Sequence, residues 1–145
     1  MYRRILVPLD CLPLSEAILP HVQVLAKAMG SEIILLYVQP SPAPEFSSPS
    51  RPFAKGIVHD QKRKAARYLK ALCTKLEKES TRVTYLIRDG AVPETIIEVA
   101  GLMQTEMIAM STQGPSGAQL LLLGSVTYQV VRHSPLPVMV IRSRV

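Results

Sequence analysis

Five residues in two segments of the chain are of the types from which a nucleotide site could be built. Gly114, Gly117 and the pair Gly124-Ser125 fall in "MSTQGPSGAQLLLLGS", and Asp10 ends the apolar segment "RRILVPLD". Glycines let backbone N–H groups approach an anion, and a helix that starts at Ser125 adds N–H donors and a positive dipole end. The carboxylate of Asp10 could accept hydrogen bonds from ribose hydroxyls. The pattern favours a nucleotide whose phosphates lie at the last helix.

A purely structural interpretation exists for each of these residues. Asp10 could cap a helix that begins near Pro13. Gly114 and Gly117 could be turn residues, and Ser125 could be an ordinary N-cap. From the residues alone, both interpretations stay open.

Three well-known motifs are absent from the sequence. G-x-x-x-x-G-K-[ST] fails because no lysine precedes Ser125, G-x-G-x-x-G does not occur, and "GPSG" does not fit G-x-S-x-G. The motif segment also lacks a lysine or carboxylate that could assist phosphoryl transfer. We therefore expect no catalytic residues, no metal ligands and, at most, weak incidental ATP hydrolysis. His21, His59 and His133 are interpreted as surface or packing residues.

The elements that must position these residues alternate along the chain. Helical periodicity is predicted over 14–29, 57–79, part of 89–103 and 124–133, and apolar strands end at Asp10 or cover 32–38, 82–88, 106–111 and 136–142. Strands that are apolar throughout are typical of a parallel sheet covered by helices on both faces. In such sheets ligands bind at the carboxyl edge of the strands, where Asp10, Val38 and the segment from Ser111 to Ser125 would meet.

The segment 39–56 is predicted to be a long loop within a single domain that covers residues 1–145. It holds five of the twelve prolines of the chain, which disfavour a regular helix or a central strand. We interpret it as a connector.

Charge is concentrated in one part of the chain. The formal net charge is +6, and residues 51–88 hold eleven of the seventeen basic residues, including Lys62, Arg63, Lys64, Arg67 and Lys70 on one predicted helix. Few aromatic residues accompany them, so nucleic-acid binding is a weak alternative. No apolar run is long enough for a membrane span and no secretory signal is recognisable. With two unclustered cysteines, these features lead us to expect a cytoplasmic protein.

The chain resembles the universal stress protein family over essentially its whole length. Nucleotide-binding members carry G-x2-G-x9-G-[ST], and here Gly114, nine residues and then Gly124-Ser125 reproduce its second part. "LLLGSVTYQVVRHSPLPVMVIR" is similar to the family's C-terminal block, and "ILVPLD" to its first strand. The resemblance implies a doubly wound, Rossmann-like α/β fold with a five-stranded parallel sheet of order 3-2-1-4-5. It also implies a homodimer, often paired through the last strand.

The resemblance further implies a role for each matching position. Asp10 would hold the ribose of ATP or AMP, Val38 would touch adenine, and Pro8 would lie beside the base. The glycines and Ser125 would hold phosphates, with Mg²⁺ as a companion ion. The predicted contact set is Pro8, Asp10, Val38, Ser111, Gly114, Gly117, Gly124, Ser125 and Val126.

Several positions depart from the family pattern. Ser111 replaces the first glycine of G-x2-G, which is tolerated only if its φ is not positive. Gln113 and Pro115 stand where a histidine and a basic residue are frequent, and Cys11-Leu12 replaces Gly-Ser. Each loss would cost about 1 to 3 kcal/mol where nothing replaces the missing donor. The sequence thus predicts a stress protein that signals through bound adenine nucleotide, with a nucleotide-free protein-interaction module as the alternative.

Overall fold

The chain forms a five-stranded parallel sheet with helices on both faces. The computed structural model describes residues 1–40, 52–113 and 124–143, with the backbone alone at 52–55, 113 and 143. The strands are β1 (Arg4–Pro8), β2 (Glu32–Pro40), β3 (Arg82–Gly90), β4 (Met107–Gln113) and β5 (Val138–Ser143). The helices are a 3₁₀ helix (Pro13–Ile18), α1 (Leu19–Met29), α2 (Pro52–Lys78), α3 (Val92–Leu102) and α4 (Ser125–His133). The strand order β3-β2-β1-β4-β5 confirms the predicted fold.

The sheet changes winding direction between β1 and β4. β1 pairs with β2 along its full length, but with β4 only through Ile5–Met107 and Leu6–Ile108. β4 then continues beside β5 as far as Gln113. The two central strands therefore part towards their carboxyl ends, which is where ligands bind in doubly wound sheets.

Two apolar clusters cover the two faces of the sheet. The first packs α1, α2 and the 3₁₀ helix on one face, and its fully buried members include Ile5, Val7, Ile18, Val22, Ile33, Leu35 and Leu69. The second packs α3 and α4 on the other face, and it includes Leu6, Ile34, Leu36, Ile96, Ile108 and Val130. Because neighbouring strand residues point to opposite faces, a strand buried on both sides is apolar throughout.

The predicted first helix is two elements. Its first turns, from Pro13 to Ile18, are a 3₁₀ helix, and the α-helix begins only at Leu19. Pro20 explains the change, since it has no N–H with which to bond the carbonyl of Glu16, as a continuous α-helix would require. The N–H of Leu19 donates to that carbonyl instead.

The predicted loop 39–56 is wrong at both ends. Gln39 and Pro40 belong to β2, and α2 begins at Pro52. Proline is compatible with the end of a strand and with the first turn of a helix, because a missing N–H costs little there. Residues 41–51, which form the centre of that segment, lie outside the described residues.

Two further features bear on the sequence predictions. At the end of α3 the helical period predicts that either Leu102 or Met103 faces inward; Leu102 is 72% exposed, and Met103 packs against the second cluster. No helix within the described ranges combines the length and hydropathy that crossing a membrane requires.

The amino edge of the sheet is held by Glu106. Its carboxylate accepts hydrogen bonds from the backbone N–H groups of Tyr2 (2.9 Å) and Arg3 (3.1 Å), so the start of β4 is fastened to the start of β1. These two bonds, helped by the nearby positive charges, lower the pKa of Glu106 below its ordinary value of 4.5.

We predict that Glu106→Gln lowers the melting temperature at pH 7 and that the difference from wild type shrinks in acid. A carboxyl with a lowered folded-state pKa stabilises the fold above its unfolded pKa, and this stabilisation is lost as the pH falls through the folded pKa. Thermal melts between pH 7 and pH 2 would measure it, with the exposed Glu98→Gln as control. An equal difference at both ends of the range would contradict this account.

Candidate functional site: a cavity at the carboxyl edge of the sheet

A cavity of about 550 Å³ opens where β1 and β4 part. It lies over the ends of β1, β2 and β4 and is bounded by the first turns of α3 and α4. Its volume is in the range of small-molecule sites in proteins. The described lining is mostly apolar and contains a single charged side chain, Asp10.

Seven of the nine predicted contact residues line this one cavity. They come from the ends of three strands and from the start of α4, and they are Pro8, Asp10, Val38, Ser111, Gly124, Ser125 and Val126. The other two, Gly114 and Gly117, lie outside the described residues, as does Pro115. The structure thus brings together residues that are up to 118 positions apart in the chain, from Pro8 to Val126.

Sequence reasoning missed a second set of lining residues. They complete the walls of the cavity and include Ser15, Leu36, Tyr37, Pro40, Val92, Ile96, Thr112 and Thr127. Val92 and Ile96 lie one turn apart at the start of α3, so a helix placed at the carboxyl edge could have revealed them. Thr112 is adjacent to the predicted Ser111 and could have been found in the same way.

Asp10 shapes the turn that leaves β1. Its Oδ1 atom accepts a hydrogen bond of 2.8 Å from the N–H of Leu12, and the N-cap of the following 3₁₀ helix is Leu12, without a side-chain cap. The interpretation of Asp10 as a helix cap is therefore wrong. The other oxygen, Oδ2, accepts no hydrogen bond from the described residues.

The backbone of Cys11 bears on the expectation, drawn from the family resemblance, of a glycine at this position. Its φ is 65°, in the left-handed region that glycine adopts at little cost. Burial, followed by the charges of Asp10 and Glu16, raises the pKa of the thiol to about 11. Cys11 is therefore a neutral thiol at physiological pH, and it adds no charge beside the carboxylate.

Ser111 fits the position of the missing glycine because it lies inside β4, with extended backbone. Its hydroxyl is 2.9 Å from the carbonyl oxygen of Ser15 and 3.3 Å from that of Leu14. This contact ties the end of β4 to the 3₁₀ helix across the point where β1 and β4 separate.

The start of α4 is held by a buried threonine. The N–H of Gly124 donates to Oγ1 of Thr112 over 3.0 Å, and a Cβ on Gly124 would lie 3.4 Å from that oxygen. Gly124 is the N-cap and Ser125 is the first helical residue, so the interpretation of Ser125 as N-cap is wrong.

The first turn of α4 offers backbone donors to the cavity. The first bond within the helix joins the N–H of Tyr128 to the carbonyl of Gly124 over 2.8 Å. The N–H groups of Ser125, Val126 and Thr127 precede it and have no acceptor within the helix. All three residues line the cavity, so an anion there would meet backbone donors and the positive end of the helix dipole.

One known protein family matches nearly the whole chain. The model of the universal stress protein family matches residues 1–142. The chain belongs to the universal stress protein family. Its membership confirms the resemblance on which the residue roles were based.

Similar family members come from bacteria and archaea. Universal stress protein G of Shigella flexneri is 29% identical over 148 residues, which cover 98% of this chain and 100% of that protein. Universal stress protein MJ0577 of Methanocaldococcus jannaschii is 27% identical over 157 residues, covering 99% and 97% of the two chains.

Solved structures of universal stress proteins share the fold. The structure of MJ0577 has a TM-score of 0.84 at 28% identity and covers 100% of this chain and 99% of that one. A universal stress protein solved in complex with cAMP has a TM-score of 0.64 at 20% identity, covering 99% and 98%. At that identity the second likeness shows the fold alone.

We predict that Thr112→Val destabilises the protein by about 1 to 3 kcal/mol, because the N–H of Gly124 loses a buried acceptor. Thr112→Ser keeps the hydroxyl and should recover most of the loss. Denaturant unfolding of the two variants would measure the difference. If valine and serine destabilise the protein equally, the hydroxyl does not hold the start of α4.

Proposed function

We propose that this universal stress protein binds an adenine nucleotide, ATP or AMP, and acts by nucleotide-dependent signalling rather than by catalysis. The proposal rests on one observation: a single cavity collects the carboxylate of Asp10, the end of β2 at Val38 and the first turn of α4. Each of the three suits a different part of a nucleotide.

The apolar part of the cavity suits the base. Val38 is 6% exposed and lies in the same cluster as Ile96, while Pro8 and Val92 complete the apolar walls. A flat purine would bury its faces between such side chains.

The ribose and phosphates would meet the polar part of the cavity. A ribose hydroxyl could donate to Oδ2 of Asp10, since Oδ1 already accepts from Leu12. Phosphates would accept from the N–H groups of Ser125, Val126 and Thr127, which need no lysine to attract an anion. Mg²⁺ would enter only as the companion ion of the phosphates.

We further propose that the site binds nucleotide without catalysing its hydrolysis. Phosphoryl transfer is accelerated by cations that neutralise developing charge and by a group that positions the attacking water. The described lining supplies one carboxylate, at the ribose position, and no lysine, arginine or histidine. Hydrolysis by this lining would be weak and incidental.

The signal would be carried by a cytoplasmic homodimer. β5 is an edge strand of the sheet, and the nearby helix α4 exposes Tyr128 (46%) and Val131 (44%). Because α4 also provides the phosphate donors, a nucleotide that orders its first turn would act on the same helix that borders the dimer edge. The basic residues of α2 lie away from this edge, and nucleic acid is not part of the proposal.

The alternative function is a protein-interaction module that has lost nucleotide. The absence of any cation from the described lining, together with Cys11 in place of glycine, favours it. In that case the cavity would be a remnant, and the exposed surfaces of α4 and β5 would carry the function.

We predict that ATP and AMP bind and that Asp10→Ala weakens both by about 10- to 100-fold, the equivalent of a lost hydrogen bond to a charged group. Asp10→Asn keeps an oxygen for the N–H of Leu12 and removes the charge, so it separates turn geometry from ribose binding. Calorimetric titration with and without Mg²⁺ would measure the affinities, and circular dichroism would check the fold. Absence of binding by the wild type at millimolar nucleotide would favour the alternative function.

A further inference from the structure

A second cavity, of about 680 Å³, adjoins the first on the other side of Asp10. Asp10, Tyr37 and Pro40 line both cavities. The first lies over the sheet face covered by α3 and α4, while the second lies between the end of β2 and the helix α2. The two cavities therefore meet across the carboxyl edge of the sheet, and the carboxylate of Asp10 stands at the boundary.

This position decides which part of a nucleotide would reach the second cavity. If Asp10 holds the ribose, as proposed above, the 2′ and 3′ oxygens lie at the boundary between the cavities. The phosphates leave in the opposite direction, towards α4. A group attached to the ribose through the 2′ or 3′ oxygen would enter the second cavity.

The floor of the second cavity is a pair of amide side chains, of which Gln39 is buried and Gln61 is exposed. Gln39 is 4% exposed, and its Oε1 accepts a hydrogen bond of 3.0 Å from the hydroxyl of Tyr37. Its Nε2 donates to Oε1 of Gln61 on α2 over 2.7 Å. One N–H of Gln39 and the amide N–H₂ of Gln61 are left for a ligand. Amide side chains of this kind pair with the hydrogen-bonding edge of a nucleobase.

Two tyrosines add aromatic surface to the cavity. The hydroxyl of Tyr68 donates to the carboxylate of Glu16, and that of Tyr37 donates to Gln39. Because both hydroxyls already donate within the protein, the rings are what these side chains offer a ligand. Aromatic rings stack on nucleobases with little regard to base identity.

The charges of the second cavity restrict which chemical group can join the ribose to a ligand in that cavity. Among the described lining residues Lys64 is the one cation and Asp10 the one anion. A phosphomonoester on the ribose would place two negative charges beside Asp10. A carboxylate that binds ribose hydroxyls repels such a group. A phosphodiester carries a single negative charge, which Lys64 can balance.

We propose that the site takes an adenosine nucleotide whose ribose carries a second nucleoside through a 2′ or 3′ phosphodiester. The adenosine occupies the first cavity, the phosphodiester lies near Lys64, and the second nucleoside lies on Gln39, Gln61 and the tyrosine rings. This inference rests on the proposed adenine-nucleotide function and extends it to a second subsite.

The test compares three ligands by calorimetric titration: AMP, adenosine 3′,5′-bisphosphate, and the dinucleotide 5′-phosphoadenylyl-(3′→5′)-adenosine. The dinucleotide is expected to bind about tenfold more tightly than AMP, the gain typical of one stacked base. The bisphosphate is expected to bind no more tightly than AMP. In Gln61→Ala and Lys64→Gln the tenfold ratio should fall towards one, while Thr74→Ala, on an exposed part of α2, should keep it.

Each contrary result has a distinct meaning. If AMP binds and the dinucleotide binds no more tightly, the second subsite is refuted and the proposed function stands. If the gain survives in both cavity variants, the second nucleoside lies elsewhere and the inference is again overturned. If none of the three ligands binds, the proposed function fails and the subsite fails with it.

Discussion

The separation of β1 from β4 is the constraint on which the rest of the site depends. The two strands pair only at Ile5–Met107 and Leu6–Ile108, and beyond this point each follows its other neighbour. A gap between two central strands would expose their backbone and open the core. Here the hydroxyl of Ser111 donates a hydrogen bond to a carbonyl oxygen of the 3₁₀ helix, and Oγ1 of Thr112 accepts one from the N–H of Gly124. These two bonds join elements on either side of the gap. What is left open is the cavity, whose shape follows from these contacts.

The electrostatics of the site follow from the backbone rather than from charged side chains. The described lining contains one carboxylate and no cation, so the attraction for a phosphate must come from the first turn of α4. Burial raises the pKa of the Cys11 thiol to about 11, and this thiol adds no negative charge beside Asp10. Backbone N–H groups recognise an anion through the directions of their hydrogen bonds. The position of Gly124, where α4 starts, therefore determines whether these groups can bind an anion. For this reason our proposal is reversible occupancy of the site rather than phosphoryl transfer.

The sheet and its carboxyl edge could be predicted from sequence because both follow from local pattern. Apolar strands such as 32–38 that alternate with helices are typical of a parallel sheet buried on both faces, and this placed Asp10, Val38 and Ser125 at one edge. The bounds of elements near proline could not be predicted as well. Pro20 shifts the start of α1. Pro40 ends β2 and Pro52 begins α2, although composition alone assigned both prolines to a loop.

The remaining site features depend on contacts that are remote in sequence. The bond between Gly124 and Thr112, and that between Gln39 and Gln61, join residues whose proximity is set by the packed fold. The left-handed backbone of Cys11 is likewise imposed by the turn after β1, against the preference of the residue. Residue type and spacing suggested where the ligand would lie, but the second cavity became visible only once α2 was packed against the end of β2.

The most direct test of this account is a titration with ATP followed by backbone amide resonances. If α4 holds the phosphates through its backbone, the N–H signals of Ser125, Val126 and Thr127 should shift most, and adenosine without phosphate should leave them nearly unmoved. Shifts confined to the basic surface of α2, or no shifts at millimolar ATP, would contradict the account and would favour a universal stress protein that works through protein partners.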